Sequence, residues 1–111
     1  MSKNNIRDKE FPIMLDKERH LRLDLNAFSV LEEAHGDPFT ILENAERGSM
    51  SALKAVVWAS LVHEDEELTE KDVGRIIHPG NLEEVAEVIK DLINHYLPDP
   101  KNSPDPAPAT Q

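Results

Sequence analysis

The chain has 111 residues, 22 of them acidic and 12 basic, with a formal net charge of −10. A length of this order predicts one domain with a modest core, and the charge argues against direct nucleic-acid binding, because phosphates would be repelled rather than neutralised. Cysteine is absent, which excludes disulfides, thiolate metal sites and a cysteine nucleophile.

Residues 1–10 are polar and are expected to fray. They contain no apolar run of signal-peptide length. The longest nearly apolar run, residues 52–62, is interrupted by Lys54 and Ser60 and is too short to span a bilayer. The expectation is a soluble, cytoplasmic protein with no membrane partner.

Residues 11–15, F-P-I-M-L, read as a strand with Pro12 near its start or on an edge. Residues 19–24, R-H-L-R-L-D, alternate apolar and charged residues, the period of a half-buried strand. With Asp16-Lys17-Glu18 as a turn, the two runs predict a hairpin. An isolated hairpin is marginal in water, so it must lie on helices or on another copy's sheet. Its edge, carrying Ile13, Leu15, Leu21 and Leu23, is a candidate surface for homo-oligomer formation.

The pattern then changes period with almost no linker. Leu25, Phe28, Val30 and Leu31 fit one helical face, with Asp24 or Asn26 as the cap and Gly36 as the stop. Asp37-Pro38 opens a second helix, the missing proline N–H costing nothing in a first turn. Phe39, Leu42 and Ala45 give that helix its apolar face, and Gly48 ends it. Ser49 or Ser51 caps a third helix that is apolar nearly all round, which predicts the central one. After the acidic run His63-Glu-Asp-Glu-Glu67, Thr69 and Asp72 form a capping box for a fourth helix with Val73, Ile76 and Ile77 inward. Asn81 and Glu84 repeat that spacing for the last helix. Leu82, Val85, Ile89, Leu92, Ile93 and Tyr96 make a stripe along it.

The fold expected is α+β and mostly α-helical: an N-terminal β-hairpin, about five helices, one domain over residues 11–97, and a disordered Pro-rich tail over 98–111. That tail has no apolar residue larger than alanine beyond its start, too little to offset the entropy of ordering.

Catalytic and metal chemistry find little to work with. None of the five histidines has a second ligand at zinc spacing on a helix. Glu64 to Glu67 lack the alternation and glycine turn of a calcium loop. There is no nucleophile elbow and no phosphate-binding glycine loop. A non-enzyme without cofactor is expected. Trp58 and Tyr96, the one tryptophan and the one tyrosine, read either as core or as interface anchors. Together with Leu61, Val85, Ile89 and Leu92 they are the candidate partner-binding residues.

Three stretches carry a resemblance: LRLDLNAFSVLEE at residues 21–33, ALKAVVWASLVHEDEELTEKDVGRII at 52–77 and GNLEEVAEVI at 80–89. The chain resembles the small tail assembly chaperones of siphophages and prophages, in the branch shared with gene transfer agents. The run W-A-x-L-x-H-E-D followed by L-T and V-G is its most specific part. The family commonly has alanine or glycine where this chain has Ser60. The resemblance implies a non-enzymatic assembly factor that binds the long helical tape-measure protein, keeps it soluble and helps recruit the tail-tube protein around it. The rival readings are a tube or minor tail protein retained in the virion and an acidic inhibitor or DNA mimic.

Overall fold

A computed structural model describes residues 10–96. The frayed N-terminus and Pro-rich tail read from the sequence lie outside these residues, apart from Glu10. The described chain is a two-stranded antiparallel hairpin followed by five helices, the order expected.

Strands β1 (Phe11–Met14) and β2 (Glu18–Leu21) pair with Phe11 opposite Leu21 and Ile13 opposite Arg19. Alternation turns Ile13, Arg19 and Leu21 inward and leaves Pro12, Met14 and Glu18 exposed. β2 ends earlier than the period-2 pattern suggested. The Arg22 N–H leaves the hairpin and donates to the Ser60 carbonyl at 2.9 Å, tying the chain to the central helix. Leu23 is fully buried beyond the strand.

The expected self-association edge is therefore corrected at three of its four residues. Ile13, Leu21 and Leu23 are 3%, 0% and 0% exposed and hold the hairpin onto the helices. Leu15 is half-buried in the turn, outside both strands. Pro12 also removes one main-chain donor from β1, a standard guard on an edge strand.

Arg19 is the one fully charged side chain buried among the described residues. Its guanidinium makes two bonds to the Asp16 carboxylate, each 2.8 Å, across the hairpin turn. Asp65 of the acidic loop lies 3.8 Å away. Beside it, His20 Nδ1 lies 2.7 Å from Glu64, and His63 Nε2 lies 2.7 Å from the His20 carbonyl. The acidic loop is thus fastened onto β2 by the Arg19–Asp65 ion pair, the His20–Glu64 hydrogen bond and the His63 bond to the strand backbone.

Local capping chemistry sets the helix starts. Helix α1 (Leu25–His35) begins where the Asp24 carboxylate accepts the Ala27 N–H at 3.0 Å. It stops at Gly36, whose φ of 89° an L side chain would resist. Helix α2 (Pro38–Glu46) has Asp37 as cap and Pro38 in its first turn. Helix α3 (Met50–Leu61) is capped by Ser49. Helix α4 (Glu70–Ile76) carries the reciprocal Thr69–Asp72 box. Helix α5 (Leu82–Tyr96) departs from expectation. The Asn81 carboxamide accepts the His78 N–H and donates to the Ile76 carbonyl, so it serves the α4–α5 turn and not a capping box.

Helix α3 is central, touching β2 and all four other helices. Eight of its twelve residues are buried, which is why it shows so little one-sidedness in sequence. One of the eight is Ser60, fully buried with no hydrogen-bond partner for its Oγ among the described residues. Ser60→Ala removes a desolvated hydroxyl without opening a cavity. It should raise the unfolding free energy by about 1 kcal/mol, read as a higher urea midpoint at unchanged slope.

Candidate protein-interaction site

The described residues hold no group of three or more histidine or acidic side chains placed to bind a metal ion. None of their helices is long and apolar enough to cross a membrane. The surface is notable instead for where it leaves large apolar side chains uncovered.

Of the expected partner-binding residues, four are core. Leu61, Val85, Ile89 and Leu92 are 1% exposed or less. The α5 stripe is covered by the chain's own α3 and β1, so these four form no docking surface while the domain is folded. Trp58 and Tyr96 are half-buried against the core. The Trp58 indole N–H donates to the Leu68 carbonyl at 3.0 Å and fixes the end of the acidic loop. The Tyr96 ring lies edge-on to His95, which in turn meets Phe11 of β1 edge-on at 5.6 Å.

The uncovered apolar residues are elsewhere. Among the described residues four large apolar side chains are exposed: Met14 of β1 at 59%, and Leu25, Phe39 and Met50 at 79%, 58% and 57%. The last three lie in the first turns of α1, α2 and α3 respectively. Leu25 was expected to face inward on the α1 stripe and Phe39 on the α2 stripe. Instead Ala27 and Leu31 bury the α1 face, and Pro38, Leu42 and Ala45 bury the α2 face.

Two surfaces result. One is an open cavity lined by Leu25, Phe28 and Phe39, with Ser29, Glu32 and Asp37 as its polar members. The Phe28 and Phe39 rings stack tilted with centroids 5.8 Å apart. The other is a groove of about 400 Å³ between the start of α3, the end of α4 and the start of α5. Met50, Leu53, Ile77, Pro79 and Leu82 supply its apolar wall, with Lys54 and His78 as polar members. Gly74 opens the floor: a Cβ there would come within 3.2 Å of the Lys54 stem. Apolar clefts with a few placed polar groups are the usual form of a recognition site.

One sequence signal could have found these surfaces. Negative charge is favoured in a helix first turn, and this chain has acids in abundance. Helices α4 and α5 use them there, with Glu70, Asp72, Glu83 and Glu84. The first turns of α1, α2 and α3 contain none and present Leu, Phe and Met instead, the carboxylate at the start of α1 and of α2 coming from the caps Asp24 and Asp37.

Comparison with known proteins gives one informative match. The model of a family described as "Phage tail tube protein, GTA-gp10" matches residues 13–98. No curated protein and no solved structure matches. The matched span takes in the hairpin from Ile13 and all five helices, including both apolar surfaces and the acidic loop between α3 and α4. A match over most of the chain is membership: this protein belongs to the GTA-gp10 phage tail tube protein family.

Proposed function

We propose that this chain is a non-enzymatic tail assembly factor of a phage or prophage, a chaperone that binds the tape-measure protein in the host cytoplasm and assists growth of the tail tube around it. The observation that carries the tail assignment is the family match over residues 13–98. The chaperone reading adds the resemblance in residues 21–33, 52–77 and 80–89 to the physical character of the surface. A long helix with exposed apolar seams aggregates unless covered, and a lysine-edged apolar groove suits helix-in-groove packing. The net charge of −10 would keep a coated complex soluble and its neighbours apart.

The family's description favours a second reading, a tube or minor tail protein that stays in the particle. The two part on a simple test. The chain is co-expressed with the tape-measure protein of its own cluster, and the soluble fraction and co-elution are compared with and without it. Purified particles are then assayed for the chain by mass spectrometry. Solubilisation with co-elution and absence from particles is the chaperone outcome. Stoichiometric presence in particles, with no effect on tape-measure solubility, overturns it in favour of a tail component.

A further inference from the structure

We propose that residues 1–9 of the chain lie back along its own α1 and occupy the open cavity there, with Ile6 against Phe28 and Phe39 and Arg7 beside Glu32. This concerns the chain alone and holds under either tail role.

The first support is where that segment joins the fold. β1 and β2 run antiparallel with Phe11 opposite Leu21. Continued one step, this register sets Glu10 against Arg22, and their side chains meet at 2.7 Å. Arg22 also lies 3.8 Å from Asp24, the cap of α1. Followed backwards from Glu10, the chain therefore heads the way β2 leaves the hairpin, toward α1. Residues 1–9 are joined to the fold beside the first turn of α1, where Leu25 stands.

The second support is shape and reach. Leu25, Phe28, Ser29, Glu32 and Gly36 line the cavity, and their spacing is that of one helix face. The cavity is thus a trough of about 720 Å³ along α1, bounded at the far end by Asp37 and Phe39. Helix α1 is about 16 Å long at 1.5 Å per residue. A segment of this length reaches about 30 Å when extended, enough to run the whole trough from its Leu25 end.

The third support is chemistry. The segment reads M-S-K-N-N-I-R-D-K, with Lys3, Arg7 and Lys9 against the single acid Asp8. It is net positive in a chain of net charge −10. The charged members of the trough are the carboxylates of Glu32 and Asp37. Neither has an ion pair among the described residues. Asp37 is engaged at the start of α2, accepting from the Phe39 N–H and the Thr40 hydroxyl. Glu32 is then the acid a cation would meet, and Ile6 brings an aliphatic side chain next to Arg7. Covering Leu25 and Phe39 takes apolar surface out of water. The groove at Met50 suits this segment poorly, because Lys54 there repels it.

The test uses the full chain. It has no cysteine, so Asn4→Cys places a single nitroxide on the segment, read by the paramagnetic loss of amide signals in the NMR spectrum. The signals of Phe28, Ser29 and Glu32 should be lost, and those of Ser51 and Leu82 at the groove should remain. When the nitroxide is on an isotope-silent chain mixed with an isotope-labelled chain lacking it, the loss should vanish, since the contact lies within one chain. Ile6→Asp with Arg7→Glu should abolish the loss and leave the other signals in place, because both changes lie outside the described fold. Arg7→Glu alone should weaken it, and adding Glu32→Arg, at an exposed position, should bring it back. A loss that is absent, spread evenly over the surface or equally strong in the mixed sample overturns the proposal. So does one that survives Ile6→Asp with Arg7→Glu, or a charge swap that restores nothing.

Discussion

Leu92→Ala should destabilise the domain by about 3–5 kcal/mol, the range for truncating a leucine whose site cannot collapse. Leu92 is fully buried on α5, in one apolar cluster with residues of the hairpin and of α3. A domain of this size is stable by only about 5–12 kcal/mol, so the loss would be a large part of the total. Urea titration should show a lower midpoint at unchanged slope. The result also separates two roles for the α5 stripe. If Leu92 were a contact residue, truncation would leave the midpoint nearly unchanged and remove partner binding. The burial of Val85, Ile89 and Leu92 together predicts the reverse order, with stability falling first and binding lost only because the domain opens. Phe39→Asp is the natural control. It changes a large aromatic residue on the surface, and its midpoint should stay within about 0.5 kcal/mol of the wild type or rise.

The same contrast shows what the sequence could reveal and why. Caps are local chemistry: Asp24 to Ala27, Asp37 before Pro38, Ser49 to Ala52 and the Thr69–Asp72 box all act within three residues. They were legible because no other part of the chain needs to be known. The hairpin and the central position of α3 were legible for a similar reason, since period and all-round apolarity are properties of a segment. What covers a face is not such a property. The α5 stripe announces an apolar side but not whether α3 or a foreign helix fills it. Leu25 falls on the α1 stripe by spacing, yet the chain leaves β2 at Arg22 and sets α1 so that Ala27 and Leu31 face the core. Asn81 was placed as a cap by spacing, and the tight turn after α4 took its carboxamide first. The groove was illegible as a whole, because its walls come from three helices and its floor from a missing side chain at Gly74.

The period-2 pattern of the second strand gave no sign that a charge would be buried at Arg19, and that burial gives the second large effect. Asp16→Ala would leave a guanidinium whose side chain is 5% exposed with Asp65, at 3.8 Å, as its nearest carboxylate. Removing one partner of a buried charge costs more than removing both, because the remaining charge stays desolvated. The Asp16 side chain is 40% exposed, so solvent weakens the pair and the expected loss is about 2 kcal/mol, the lower part of the range for such groups. Arg19→Met keeps the length of the stem and takes the charge away, and should cost less than Asp16→Ala. Once Met is in place, adding Asp16→Ala should change little. That non-additivity in a double-mutant cycle measures the coupling.

The pair also sets an acid limb of stability. Hydrogen bonding to Arg19 holds the Asp16 carboxyl below its ordinary value of 3.8. A carboxylate whose value is lower in the folded state contributes stability that is present above the unfolded value and is lost as pH falls through the folded one. The wild type should therefore lose more stability below about pH 4 than Arg19→Met does. His20 works in the opposite sense. Its hydrogen bond to Glu64 raises it above 6.5, so its contribution is complete below that value and fades as pH rises through the folded one. Urea midpoints measured from acid to mildly alkaline pH should trace a maximum between the two limbs. Asp16→Ala should reduce the acid limb, to which Asp72, lowered by its hydrogen bonds with Thr69, also contributes, and His20→Gln should flatten the neutral limb. If the neutral limb survives His20→Gln, the loop between α3 and α4 is not held to β2 by the His20–Glu64 bond.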